Sequence, residues 1–123
     1  MFNYEVRADQ KKHDQMVCAI VGALYEQNYS DIRADLQNFA KPEKITNCIP
    51  DVSAIKNSHL YLYEIETSDT IDIEHTRKQW KEFSDYAAKY SNVTFTVVIP
   101  DGYEYLAKTV LNQLSANALI IEL

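Results

Sequence analysis

The chain has 123 residues, which is enough for one compact domain with a single hydrophobic core. Its apolar fraction of 46% and charged fraction of 24% are ordinary globular values and argue against wholesale disorder. Its formal charge of −6 argues against tight, nonspecific binding of nucleic acid across the whole surface, although it allows a local basic rim around a metal site.

The sequence contains no pattern typical of membrane insertion or export. No apolar run approaches the ~20 residues that a membrane-spanning helix needs, and the N-terminal residues lack a basic segment followed by an apolar one. We therefore expect a single domain over residues 1–123 that is cytoplasmic and does not enter a membrane. Cys18 and Cys48 lack the Cys-x-x-Cys spacing of a redox or zinc site. We interpret them as buried, reduced thiols, although the sequence also allows a disulfide between them.

The first predicted element is a helix from Asp9 to about Gln27, where apolar residues recur at 3.6-residue spacing. Small residues form a second stripe along this helix, and Gly22 within it costs ~1 kcal/mol of helix stability relative to alanine. Close approach to another backbone would explain a glycine there. Glu26 follows one turn later, and it is either a solvated residue of the last turn or a functional carboxylate.

Three strands are predicted to follow the first helix. Their expected spans are 32–36, an irregular strand over 45–49 and 52–55 that is interrupted at Pro50, and 60–67. A reversal at 56–58 would place Asp51 near Glu64 across a hairpin. A slip of one residue in the pairing would change the face of the sheet that Asp51 occupies.

The second half of the chain is predicted to alternate between helices and strands. The expected spans are helix 73–90, strand 93–99, helix 101–113 and strand 118–123. Thr70 or Asp72 is expected to cap the first of these helices, and strand 93–99 is apolar enough to be covered on both faces. The order α-β-β-β-α-β-α-β therefore predicts an α/β fold, a three-layer α/β/α sandwich with a central mixed sheet.

Three carboxylates stand out in these strand-like surroundings. Glu64 and Glu66 are two residues apart on a strand and therefore share a face. Two like charges on one face are costly unless water, a cation or a basic partner compensates them. Together with Asp51 they suit a hard, oxygen-preferring cation such as Mg²⁺ or Mn²⁺. The alternatives are glutamates that face water and an Asp51 that only shapes a turn.

The motif and the order of elements resemble those of the restriction-endonuclease-like superfamily, the PD-(D/E)XK nucleases. Pro50-Asp51 matches the first half of the motif, and the residues from Glu64 to Glu66 match the second half, with Glu66 where lysine is usual. The resemblance covers most of the chain, from the first helix to strand 93–99. It implies that Asp51 and Glu64 bind Mg²⁺ or Mn²⁺ and that the substrate is nucleic acid, DNA rather than RNA.

The same resemblance implies roles for residues outside the motif. Glu26 would correspond to the first-helix acid that reaches the metal, commonly through water. Gln79 would match a glutamine on the helix after the motif, although Phe83 stands where those branches carry tyrosine. His75, one turn before Gln79, would also face the site. Glu66 would take a proton or join the metal site, since a carboxylate cannot donate as lysine does.

Two functions are therefore open. The first is a metal-dependent nuclease that hydrolyses phosphodiester bonds with Asp51, Glu64, Glu66 and Gln79, and that gains substrate grip as a homodimer. The second is a catalytically inactive nuclease-like fold that acts as a binding or assembly module. The missing lysine and the acidic net charge favour the second function.

Overall fold

The computed structural model describes the backbone of residues 4–123 and the side chains of residues 10–123. Asp9, the predicted start of the first helix, has its side chain outside the described residues. The elements of this part of the chain are α1 (Tyr4–Glu26), β1 (Ser30–Ala34), β2 (Val52–Lys56), β3 (His59–Ile65), α2 (Glu74–Lys89), β4 (Val93–Ile99), α3 (Glu104–Leu114) and β5 (Leu119–Glu122). This confirms the predicted order. Within residues 4–123, no helix is both long and apolar enough to cross a bilayer.

The five strands form one mixed sheet in the order β1-β2-β3-β4-β5. β1, β2 and β3 pair antiparallel, and β3, β4 and β5 pair parallel. The β2–β3 hairpin turns at Asn57 and Ser58, which both have positive φ, as a type I′ hairpin turn requires. Val52 pairs with Tyr63 across this hairpin, so Asp51, one residue earlier, lies opposite Glu64.

Two hydrophobic cores lie on opposite faces of the sheet. One lies under α1, which packs against β1, β2 and β3, and it includes Val98 of β4. The other lies under α2 and α3 and includes Val97 of the same strand. β4 is therefore covered on both faces, as predicted, and the domain is a three-layer α/β/α sandwich. Trp80 and Phe83 of α2 are buried in the second core.

The chain before β2 differs from the prediction of an irregular strand over 45–49. Residues 45–48 form a tight turn instead, in which Ile45 N–H donates to Cys48 O at 2.7 Å and Cys48 N–H donates to Ile45 O at 3.0 Å. Thr46 has positive φ, which reverses the chain, and Pro50 cannot donate to a ladder. Cys48 Sγ–H donates to Glu82 Oε2 at 2.8 Å, so this turn is anchored to α2.

The predictions for the cap of α2 and for the two thiols need correction. Ile73 precedes α2 without a side-chain cap, because Thr70 donates to Glu66 and Asp72 pairs with Arg77. Both cysteines are free, as interpreted, but neither is buried: Cys18 is exposed and Cys48 is half-buried.

The end of α3 gives a first prediction. Ser115 caps this helix in the left-handed region (φ 53°), and Ala116 N–H donates to Leu111 O at 2.9 Å. Glycine adopts this conformation without a Cβ penalty, so Ser115→Gly should raise the free energy of unfolding by about 0.5–1 kcal/mol. Urea denaturation measures this change. Ser91→Gly is the control, because Ser91 is exposed in a turn without positive φ, and it should not stabilise. Equal effects of both substitutions would contradict the explanation.

Candidate functional site

Asp51 and Glu64 meet where β2 begins and β3 ends. Asp51 N–H donates to Glu64 Oε1 at 3.0 Å, and Ile65 N–H donates to Asp51 Oδ2 at 2.8 Å. Each carboxylate therefore accepts a backbone N–H from the segment opposite, one residue beyond the last regular β2–β3 pair, Val52 and Tyr63. The two bonds hold both carboxyl groups together where β2 begins and β3 ends, as the predicted hairpin implied.

Glu64 is buried without a compensating charge. It is 3% exposed, and the hydrogen bond from Asp51 is the one that the described residues give its carboxylate. Burial raises the pKa of Glu64 well above its ordinary value of 4.5, and the nearby Asp51 and Glu66 carboxylates add to that rise. Among the described side chains, none forms an ion pair with Glu64. A cation at this place would relieve the cost of its ionised form.

Glu66 is also buried, at 5% exposure, but it has many partners. Its Oε1 accepts from Thr70 Oγ1 at 2.8 Å and Thr76 Oγ1 at 3.3 Å, and its Oε2 accepts from Trp80 Nε1 at 3.1 Å. Burial raises the pKa of Glu66 to about 7, although these donors oppose the rise. Glu66 thus fastens the 67–73 loop and α2 to the end of β3. The alternative in which both glutamates face water is wrong.

His13 of α1 belongs to the site, although no sequence motif includes it. Its Nε2 lies 3.3 Å from Asp51 Oδ1, and its Nδ1 lies 3.1 Å from Asp14 Oδ1. The hydrogen bond to Asp51 raises the pKa of His13 to about 9, against the opposing effect of burial, so the imidazole is protonated at neutral pH. One signal was present: His13 lies one turn before Met16 and Val17, on the stripe of α1 that faces the core.

The structure does not bring Glu26 to the pair. Glu26 is exposed at the far end of α1, thirteen residues and therefore about 20 Å from His13 along the helix. Lys56 at the β2–β3 hairpin donates to Gln27 O at 2.9 Å, which places this end of α1 at the opposite end of the sheet. The expectation of a metal ligand at Glu26 is wrong for this reason.

Gln79 and His75 of α2 are not joined to the acidic pair either. Gln79 is half-buried and His75 is exposed, and the described hydrogen bonds connect neither of them to Asp51 or Glu64. α2 contacts the end of β3 instead through Thr76 and Trp80, which hold Glu66. A role for Gln79 in catalysis stays a prediction.

The carboxylates fit a small metal site rather than a complete protein cage. Within residues whose side chains are described, no group of three or more His, Cys, Asp or Glu is arranged to hold a metal ion. The expected convergence of three carboxylates is therefore corrected to a pair, Asp51 and Glu64, because Glu66 is held by α2. Mg²⁺ commonly uses one or two carboxylates and completes its shell with water and substrate phosphate, and the pair fits that use.

Comparison with known proteins gives no match. Neither a protein-family model, nor a curated protein, nor a solved structure matches the chain. Any assignment of function therefore rests on the motif, the order of the elements and the contacts of the acidic residues.

The buried carboxyls give a prediction about pH. A carboxyl whose pKa rises on folding stabilises the protein below its unfolded pKa, near 4.5, and this stabilisation is lost as pH rises through the folded pKa, about 7 for Glu66. Glu66→Gln should remove this contribution, while its amide keeps an oxygen for Trp80. The free energy of unfolding should therefore fall less between pH 5 and pH 8 in this variant than in wild type, by on the order of 2–3 kcal/mol.

Urea denaturation at several pH values measures this slope. Glu26→Gln is the matched control, since Glu26 is an exposed glutamate far from the pair, and it should keep the wild-type slope. If Glu66→Gln and wild type lost stability equally between pH 5 and 8, the burial of an ionisable Glu66 would not be the cause.

Proposed function

We propose that this protein is a metal-dependent nuclease that hydrolyses phosphodiester bonds, in DNA rather than RNA. The observation that carries the proposal is the Asp51–Glu64 pair. The carboxyl of Glu64 is nearly inaccessible and lies beside that of Asp51, and none of the described side chains forms an ion pair with Glu64. A divalent cation compensates such a concentration of negative charge. The match of Pro50-Asp51 and Glu64 to the nuclease motif supports the same function.

In this proposal each residue of the site has a separate role. Asp51 and Glu64 would hold Mg²⁺ or Mn²⁺ through carboxylate oxygens. The bound ion would supply a nucleophile from its water and neutralise a phosphate. His13 orients Asp51 from the α1 side through the 3.3 Å contact between Nε2 and Oδ1. Glu66 holds the end of β3 against α2 through its hydrogen bonds, which fixes the position of Glu64 two residues earlier.

Access to the site and its surroundings suit an anionic polymer. The Asp51 side chain is partly exposed, so the pair reaches solvent at the edge of the sheet. Exposed lysines occur on both helical layers, with Lys12 next to His13 in the sequence of α1 and Lys78 on α2. In this proposal they contribute the local positive charge that the overall charge of −6 does not provide.

The second candidate is a nuclease-like fold without catalysis, acting as a binding or assembly module. A specific observation favours it: the position of the usual lysine is occupied by Glu66, whose oxygens are taken up by Thr70, Thr76 and Trp80. A side chain enclosed in this way stabilises the fold and does not reach a substrate.

Metal binding and cleavage, measured together, separate the two candidates. Mg²⁺ or Mn²⁺ at a hundred times its dissociation constant should stabilise the wild-type protein by about 2.7 kcal/mol. Asp51→Asn and Glu64→Gln should each remove this response and lower cleavage by about a hundredfold or more. Glu64→Gln should also be more stable than wild type without metal at neutral pH, because it removes a buried carboxylate. That gain distinguishes loss of the site from loss of the fold.

Thermal denaturation with and without each ion measures binding, and cleavage is followed on duplex, single-stranded and branched DNA and on RNA. Glu26→Gln is the control and should respond to metal as wild type does. Binding of metal at the pair without cleavage of any substrate would support the second candidate. A wild-type protein that neither ion stabilises would contradict the nuclease proposal.

A further inference from the structure

A cavity lies beside α2, on the face of β1, β2 and β3 that points away from α1. α2 makes its main contacts with β4 and α3, so cover for β1 and β2 on this face comes chiefly from the segment before β2. Ile45 of that segment is buried in the same core as Leu62. Between the segment, the strands and α2 there remains a space of about 530 Å³. This volume lies within the range of roughly 300–1,000 Å³ that is typical of pockets for small molecules.

The floor of the cavity is a sheet surface that is mostly apolar. Two cross-strand pairs form it, Ile55 with Leu60 and Ser53 with Leu62. Arg33 of β1 pairs with Ser53 on the other side and borders the floor. Directly paired residues share a face and neighbouring strands lie ~4.8 Å apart, so three strands give a surface about 10 Å wide. A planar ring system can lie on such a surface and remove most of one face from water.

Ser53 is the observation that points to a ligand with polar atoms. This residue is only 7% exposed and it lines the cavity. Among the described residues, no hydrogen bond includes its hydroxyl, although every fully enclosed side-chain nitrogen and oxygen atom has a partner. The hydroxyl is therefore accessible from the cavity, where it can donate to a bound molecule and accept from it. Leaving a buried hydroxyl without a partner is costly, so the site favours a ligand that supplies one.

The charges around the cavity favour a ligand without a charge of its own. Arg33 Nε donates to Asp31 Oδ1 at 3.0 Å, and Arg33 Nη1 donates to Lys41 O at 3.3 Å. The other charged residue of the lining is Glu43, which is exposed. A phosphate or carboxylate in the cavity would lie near Glu43, while the cation of the lining is already paired with Asp31. An uncharged molecule avoids this repulsion.

The neutral polar residues of the lining suit the edge of a heterocycle. Asn92 immediately precedes β4, and its C=O accepts from Leu60 N–H at 2.9 Å, so Asn92 stands on the side of the cavity away from Arg33. A side-chain amide offers two donors and an acceptor, the combination that pairs with the edge of a nucleobase. Tyr86 of α2 packs against the core on this side and adds an aromatic surface.

We propose that this cavity is the binding site of an uncharged nucleoside. The base lies on the apolar floor, the Ser53 hydroxyl bonds to one of its polar atoms, and the Asn92 amide pairs with its edge. The sugar lies at the mouth of the cavity, where Asp31 and Glu43 are exposed. Carboxylates accept hydrogen bonds from sugar hydroxyl groups, and this favours a nucleoside over a free base.

Calorimetric titration of the full chain with adenosine, guanosine, cytidine and uridine, without divalent ions, tests the proposal. At least one of the four should bind with a dissociation constant on the order of 0.1 mM, as expected for a ligand of this size. The 5′-monophosphate of the same nucleoside should bind more weakly, because its phosphate is repelled by Glu43 and meets no unpaired cation of the lining.

Ser53→Ala should weaken binding of that nucleoside by about tenfold, since it removes one buried hydrogen bond and keeps the shape of the cavity. Leu60→Trp, which fills the cavity, should abolish binding. Ser68→Ala is the matched control, because Ser68 is a half-buried serine outside the lining, and this variant should bind as wild type does. Circular dichroism confirms that each variant folds.

A folded wild-type protein that binds none of the four nucleosides, or a Ser53→Ala variant that binds as tightly as wild type, would overturn the proposal. Tighter binding of the monophosphate, or binding of decanol without binding of any nucleoside, would also overturn it, since these results assign a charged or a wholly apolar occupant. Asp51→Asn should bind the nucleoside as wild type does, so this site and the proposed nuclease activity fail or succeed separately.

Discussion

The structure depends on two buried carboxyl groups at the end of β3, those of Glu64 and Glu66. Removing an ion from water costs several kcal/mol unless hydrogen bonds or opposite charges compensate. Thr70, Thr76 and Trp80 compensate Glu66, and in doing so they attach α2 to the sheet. Glu64 receives a single backbone N–H from the described residues, so its negative charge stays costly. The two glutamates at the end of β3 therefore differ: Glu66 is held by hydrogen bonds that join α2 to the sheet, and Glu64 is the residue for which we propose a cation.

The topology explains why the charges collect at one edge. β3 ends where β2 begins, so the hairpin places Asp51 against Glu64 without a specialised loop. α1 crosses the same edge with its N-terminal half and brings His13 to Asp51. His13 supplies a positive charge on the α1 side, opposite the face on which Glu66 is held. The site is therefore built from regular elements, which hold side chains more exactly than mobile loops do.

The sequence predicted the order of elements and the three-layer fold, because hydrophobic periodicity and the hairpin turn are local signals. It also placed Asp51 beside Glu64, since that contact follows from strand pairing. The position of α1 along the sheet was not predictable from periodicity, which indicates the inward stripe of a helix but not which of its ends lies at which end of the strands. The N-terminal half of α1 lies at the site and brings His13 to Asp51, whereas Glu26 lies at the hairpin end. His13 was therefore missed and Glu26 was wrongly assigned. The bonds from Thr76 and Trp80 to Glu66 join distant segments and leave no periodic signature.

We propose that the ionised Glu64 carboxylate carries an uncompensated negative charge that a divalent cation neutralises. An NMR titration that follows the side-chain carboxyl carbon of Glu64, with and without Mg²⁺, tests this proposal most directly. Without the ion, the pKa of Glu64 should lie well above its ordinary 4.5, and saturating Mg²⁺ should lower it because the ion stabilises the carboxylate. A Glu64 that titrates at its ordinary pKa without metal, or one whose titration Mg²⁺ leaves unchanged, would contradict a cation site at this residue.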